Sequence, residues 1–357
     1  MDRIRRRLLR GIASAPGCAI GSTPAGLARL GTAAALSAWA ARAASQTNLN
    51  ISHQFPGGSG DTGDFRDRIC RRFASELAAQ SAGTLKATVY AGSSLMKTMA
   101  QFSALRKGAL DLTLVPLSYA GGEVPETNIG LMPGVVTSYE QGSSWKSAEV
   151  GKALADTLAD KGVLVVSWIW QAGGVASRSK AIVEPEDAAG LKVRGGSREM
   201  DMVLKRAGAS VLSLPSNEIY AAMQTGALDA AMTSSTSLIS FRLEEVARQL
   251  TTGRGRTYWF MFEPLLMSRT IFEGLAKDQQ QLIMKLGTEM ERLALDAARA
   301  DDRAVADVYL KAGGAAHDLS ETTVKRWQAI ARETAWKDFA ARSEGCARIL
   351  QLVEKTL

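Results

Sequence analysis

Two histidines and three cysteines are all the imidazole and thiol metal ligands that 357 residues offer. His53 and His317 stand far apart, and neither has a ligand-type partner at metal-binding spacing. No metal site is therefore expected. The chain also lacks a P-loop, a G-x-S-x-G elbow and a G-x-G-x-x-G placed after a strand. Its glycine-rich stretch at 57–63 has neither the lysine nor the spacing that cradles a nucleotide. No cofactor is expected. These absences turn the reading away from an enzyme and toward a binding protein.

Charge of one sign is scarce outside the N-terminus. The net charge of +7 suggests a nucleic-acid partner, but residues 1–44 carry seven arginines and one acid, Asp2. The remainder is close to neutral and has no basic block, so no nucleic-acid partner is expected. Long apolar runs are missing too. Leu30–Ala41 is uncharged and weakly apolar, but shorter than the roughly 20 residues that span a bilayer. It follows Arg5-Arg6-Arg7-Leu8-Leu9-Arg10, which resembles a twin-arginine motif, and precedes Ala41-Arg42-Ala43, a small-x-small cleavage site. Residues 1–44 are thus expected to be an export signal, and the mature protein periplasmic. Such a protein would keep Cys70 and Cys346, and their pairing stays open. Cys70 lies among Phe65, Ile69 and Phe73 at helical spacing, as a small buried apolar residue would.

What the chain does have is a repeat. Phe102-Ser-Ala-Leu-Arg-Lys-Gly-Ala-Leu-Asp111 returns as Tyr220-Ala-Ala-Met-Gln-Thr-Gly-Ala-Leu-Asp229. Each copy reads as a helix stopped on glycine and handed to a strand, with Gly108 and Gly226 where a left-handed residue costs least. Two copies predict two lobes of one plan with a cleft between them. Strand patterns at Leu49–Phe55, Leu85–Tyr90, Val163–Trp170, Leu191–Arg194, Ser210–Leu214 and Tyr258–Ser268 alternate with helical ones at 64–81 and 198–207. From about Lys277 onward the chain reads as helical. The order predicts an α/β protein.

The run Glu186-Asp187-Ala-Ala-Gly190-Leu191-Lys192-Val193-Arg194 is the most specific segment. Together with Gly208-Ala209, Leu214-Pro215-Ser216-Asn217-Glu218-Ile219-Tyr220 and Gln224–Asp229, it resembles the DctP-type periplasmic solute receptors of tripartite ATP-independent (TRAP) transporters. The resemblance runs from about Ile51 to about Leu286. It implies a two-lobe periplasmic-binding-protein fold, type II-like, with a hinge, a ligand cleft between the lobes and a helical C-terminal region. Lobe I is expected at 45–170 with 257–298, and lobe II at 171–256 with 299–357. The implied function is capture of a small organic acid and its delivery to TRAP membrane subunits, by a monomer and without enzymatic turnover. The competing readings are a receptor of an ATP-driven transporter or sensor system, and a periplasmic carboxylate-processing enzyme.

The resemblance places the ligand-gripping arginine at Arg194. Alternation agrees: Lys192 and Arg194 share one face, and Arg194 ends its strand at the carboxyl edge, where open α/β sheets bind ligands. The competing role is a structural salt bridge. Other expected ligand contacts are Trp168 and Trp170, two apart on one strand face, Tyr119, Gln54, Ser216, Thr233 and Ser234. The hydroxyls after Asp229 either bond the ligand or cap the next helix. The tryptophan pair is either core or a stacking platform. If a platform, it favours an acid with an aromatic or bulky body over a short dicarboxylate, which needs a second cation.

Overall fold

The computed structural model describes residues 46–252, 254 and 256–356, and the expected leader lies outside them. Ser45–Leu357 forms one compact unit. Its strands are β1 (Thr47–His53), β2 (Leu85–Tyr90), β3 (Leu112–Leu114), β4 (Val163–Ser167), β5 (Trp170–Ser177), β6 (Lys192–Arg194), β7 (Ser210–Val211), β8 (Ala230–Ser234), β9 (Gln249–Thr252), β10 (Phe260–Phe262), β11 (Leu265–Ser268) and β12 (Ala315–Asp318). They form two sheets, one in each lobe. The first has the order β2-β1-β3-β11-β4, and the second β12-β9-β5-β8-β6-β7 with β10 added beside β5.

The internal repeat is structural. In the first sheet β1 lies parallel between β2 and β3, with β11 antiparallel beyond β3. In the second, β6 lies parallel between β7 and β8, with β5 antiparallel beyond β8. The glycines that end the repeat helices have φ of +68° at Gly108 and +76° at Gly226. Each following aspartate then ties its strand to the neighbour. Asp111 Oδ2 accepts the Asn50 N–H at 2.7 Å, and Asp229 Oδ2 accepts the Lys192 N–H at 2.8 Å. Asn50 in β1 is thus the counterpart of Lys192 in β6, which makes Ser52 the counterpart of Arg194 and Gln54 that of Gly196.

Two expected strands are each broken in the middle. Val163–Trp170 divides into β4 in the first sheet and β5 in the second, and Tyr258–Ser268 divides into β10 in the second and β11 in the first. Both runs are apolar on either side of the break because both halves are buried, which hides the break. Pro264, which has no N–H to continue a ladder, follows Glu263 at the second crossing. The crossings pair through the Glu263 N–H and the Ile169 carbonyl at 2.8 Å. Trp170 and Phe260–Phe262 therefore lie with the second sheet, whereas the expected boundaries put them in lobe I.

The helices are α1 (Phe65–Gln80), α2 (Gln101–Arg106), α3 (Tyr139–Ser144), α4 (Glu149–Asp160), α5 (Arg198–Arg206), α6 (Ile219–Gln224), α7 (Ser235–Ser240), α8 (Arg269–Glu273), α9 (Lys277–Lys311), α10 (Glu321–Ala331), α11 (Lys337–Arg342) and α12 (Glu344–Glu354). At 35 residues α9 is about 50 Å long. It packs on α1 and β4 on one side and on β5, α7 and β12 on the other, so it braces both lobes. The C-terminal helices also touch both halves, α12 against α4 and α10 against α5. His317 lies in β12, opposite Thr251 of β9. Cys70 and Cys346 are buried free thiols. None of the described helices is long and apolar enough to cross a membrane.

Candidate functional site

Arg194 ends β6 and is 3% exposed. Its Nε donates to the Leu214 carbonyl at 3.0 Å, its Nη1 to the Met232 carbonyl at 2.7 Å and its Nη2 to the Tyr119 hydroxyl at 2.7 Å. A guanidinium has five N–H donors, so one on each Nη is uncommitted among the described residues. No carboxylate there lies within ion-pair distance of it; the ion pairs of the described residues are made by other arginines and lysines. The structural salt bridge that competed for Arg194 is absent from this set. The backbone over the guanidinium is Gly196, at φ +93°, where an added Cβ would stand 2.7 Å from Nη1. Behind it lies Asp201. Burial pushes the Asp201 carboxyl up, against the Ser213 hydroxyl bond and the Arg194 charge.

Tyr119 follows β3 in a short 3-10 turn, Leu117–Ala120. Its hydroxyl accepts from Arg194 and from the Ser216 backbone N–H at 3.0 Å, both across the cleft. Ser118 Oγ donates to the Gly196 carbonyl at 3.1 Å and Thr98 Oγ1 to Asn217 Oδ1 at 3.4 Å, two further polar contacts from the first lobe to the second. Beside Tyr119 is a cavity of about 340 Å³, with Met99, Ser118 and Tyr119 on one side and Gly196, Leu214 and Pro215 on the other.

A second buried arginine had no signal in the sequence reading. Arg66, in the first turn of α1, is 0% exposed and lies over the Phe55 ring at 3.6 Å. Nε and Nη2 donate to Asp64 at 2.8 and 2.6 Å. Nη1 reaches Glu263 at 3.1 Å and Ser234 Oγ at 3.3 Å, and Nη2 reaches Ser237 Oγ at 3.0 Å. All five donors are committed. Burial pushes the Glu263 carboxyl up, against the pull of Arg66. Gln171 Nε2 also donates to Glu263. The cluster joins the first lobe, the crossing at Glu263 and the second lobe. Asp64 caps α1 locally, but Arg66 finds Glu263, Ser234 and Ser237 far off in sequence.

The profile of bacterial extracellular solute-binding protein family 7 matches residues 67–343. The chain belongs to this family. A solute-binding protein of Albidiferax ferrireducens is 66% identical over 309 residues, covering 87% of this chain and 91% of that one. The crystal structure of a TRAP periplasmic solute-binding protein from Rhodoferax ferrireducens, with bound malonate, superposes with a TM-score of 0.85 at 66% identity, over 86% of this chain and 98% of that one. A TRAP periplasmic solute-binding protein from Sulfurospirillum deleyianum, with bound succinate, shares the fold at a TM-score of 0.75 and 22% identity, over 87% and 99% of the two chains.

Within this family 7 fold, the other expected site residues separate into two groups. Tyr119 and Ser216 stand at Arg194, Ser216 through its backbone N–H. Thr233 is buried beside Met232, whose carbonyl Arg194 holds. Ser234 caps α7, accepting the Ser237 N–H at 3.2 Å, and receives Arg66. That satisfies the capping alternative for this hydroxyl. Gln54, 1% exposed, has no hydrogen-bond partner at either amide atom among the described residues.

Trp168 and Trp170 form the other group, and the platform reading is corrected. Trp170 is 4% exposed and packs between Trp145 and Phe262, at centroid distances of 5.1 and 4.9 Å, while Trp168 tilts onto Phe262 at 4.8 Å. Both border a crevice beside Lys146 and Glu291 that shares no residue with the cavity at Tyr119. The reason is the break between β4 and β5: the two indoles flank a crossing rather than line one strand's cleft face.

Proposed function

We propose that this family 7 chain is a periplasmic receptor that captures a small organic acid, with Arg194 on its carboxylate, and delivers it to TRAP membrane subunits. The observation that carries the reading is a buried guanidinium with two uncommitted N–H groups and, among the described residues, no carboxylate within ion-pair distance. Burying an unpaired charge is costly, and a ligand carboxylate would take both N–H groups in the bidentate manner that guanidinium favours. The malonate in the relative from Rhodoferax ferrireducens supports a carboxylate. Closure of the two lobes on the hinge formed by the crossings and α9 is the mechanism. The protein works as a monomer, binds no nucleic acid and is exported by the twin-arginine route.

The test is native mass spectrometry of protein purified from the periplasmic fraction. The expected spectrum shows a mature chain cut near Ala43, with a small acid that leaves unchanged on denaturation. Replacing Arg5, Arg6 and Arg7 by lysine should stop export. Unchanged export refutes the route. Chemical conversion of an added acid by the pure protein refutes the receptor reading.

A further inference from the structure

The cavity beside Tyr119 draws its walls from three parts of the chain. Met99 belongs to the first lobe, Leu214 and Pro215 to the second, and Arg342 to α11 near the C-terminus. Arg194 is not among these walls. Gly196 covers its guanidinium, so closely that an added Cβ would stand 2.7 Å from Nη1, and the Tyr119 hydroxyl takes Nη2. Gly196 and Tyr119 thus stand between the cavity and Arg194. At about 340 Å³ the cavity is of a size that holds small molecules.

Arg342 brings a cation with donors to spare into this wall. A π-helical turn, Arg332–Trp336, leads into α11, and such turns recur at functional sites. Arg342 Nη1 donates to Glu199 Oε1 at 3.2 Å and Nη2 to the Gly121 carbonyl at 3.3 Å. Its Nε–H and one N–H on each Nη are uncommitted among the described residues. Arg198, also in the wall, holds Asp338 through both terminal nitrogens. We propose that this cavity is a second anion site, which takes a small monocarboxylate with an apolar body. The carboxylate meets Arg342 by charge-assisted hydrogen bonds, and the hydrocarbon lies against Met99, Leu214 and Pro215. Both lobes supply the walls, so the site is complete only when they meet as they do here. Its occupant therefore favours the closed arrangement over an open one and strengthens retention of an acid held at Arg194. The inference rests on the closure of two lobes in the proposed function.

The test is titration calorimetry with isovalerate and its uncharged isostere, isovaleramide. Wild type should bind isovalerate at least about tenfold more tightly than the amide, and Arg342→Gln should lose at least about tenfold in isovalerate affinity. Arg194→Ala should keep a site within about threefold of the wild-type affinity. Thermal melts identify a variant that fails to fold, since Arg342→Gln takes a partner from the buried Glu199. Met99→Glu then decides: at a position 55% exposed it sets a like charge beside the carboxylate and should also weaken binding. No binding of isovalerate, equal affinity for the amide, or affinity unmoved in Arg342→Gln and Met99→Glu overturns the proposal. So does loss of all isovalerate binding in Arg194→Ala, which makes the two places one site. Failure of the Arg194 reading looks different: the acid that copurifies binds Arg194→Ala as tightly as wild type, while Arg342→Gln still loses isovalerate.

Discussion

Arg194→Ala should weaken binding of the captured acid by about 30-fold or more, the equivalent of losing about 2–5 kcal/mol from a desolvated, charge-assisted contact. The two free N–H groups and the positive charge all go. The fold should survive. Arg194 makes no ion pair among the described residues, so no protein carboxylate is left stranded, unlike the usual outcome of deleting one half of a buried pair. Two backbone carbonyls, of Leu214 and Met232, lose a donor. Each costs on the order of 1 kcal/mol, small against the loss of binding. Arg194→Lys should fall between the two, since a lysine keeps the charge but not the fork. Titration of intrinsic fluorescence with an acid that binds wild type, alongside a thermal melt, separates binding from stability. Affinity of the alanine variant within threefold of wild type makes Arg194 a structural residue.

Arg194 was singled out by the family resemblance, and the local pattern agreed on its place in the fold. A short strand, an alternating pattern and two glycines after the strand end place a guanidinium at a sheet edge without reference to distant residues. The repeat was legible for the same reason, since Gly108 and Gly226 carry a backbone requirement that few residues meet. Its deeper content was not. That Asp111 and Asp229 make the same tie to a neighbouring strand depends on sheet order, which residue types do not state. Only that order shows Ser52 to be the counterpart of Arg194.

Hydrophobic patterning failed where the chain changes sheets. Val163–Trp170 and Tyr258–Ser268 are apolar on both sides of the break, and periodicity cannot separate one buried strand from two. The error at Trp168 and Trp170 follows directly, because a shared face was assigned to residues on either side of a crossing. Ser234 shows the opposite case. Its position after a strand and before a helix allowed a capping role or a ligand role, and the N–H of Ser237 takes the first. Asp64 caps α1 through a local bond to the Arg66 N–H, but the cluster it belongs to draws on Ser234 with Ser237 and on Glu263, from two distant stretches of the chain.

Arg66→Ala should cause the largest loss of stability of any single change discussed. The variant leaves Asp64 and Glu263 buried near one another with no guanidinium between them, both with fully buried side chains in the wild type. Breaking a buried pair by removing one partner costs about 3–5 kcal/mol, or on the order of 10 °C in melting temperature for a chain of this size. The deficit should depend on pH. Burial already raises the Glu263 carboxyl above its ordinary range, and Arg66 opposes that rise. Without Arg66 the carboxyl goes higher, so the folded variant binds a proton that the unfolded chain releases. Such a group costs least where both states are protonated and most where the unfolded chain is ionised. The gap between variant and wild type should therefore widen as pH rises from 5 to 8. Because the same guanidinium bonds Ser234 and Ser237 across the cleft, the variant should also release bound acid faster. Melts at the two pH values settle the matter: a gap of less than about 2 °C, well below what one buried ion pair supplies, or a gap that narrows with rising pH, removes the cluster from its place as the polar anchor between the lobes.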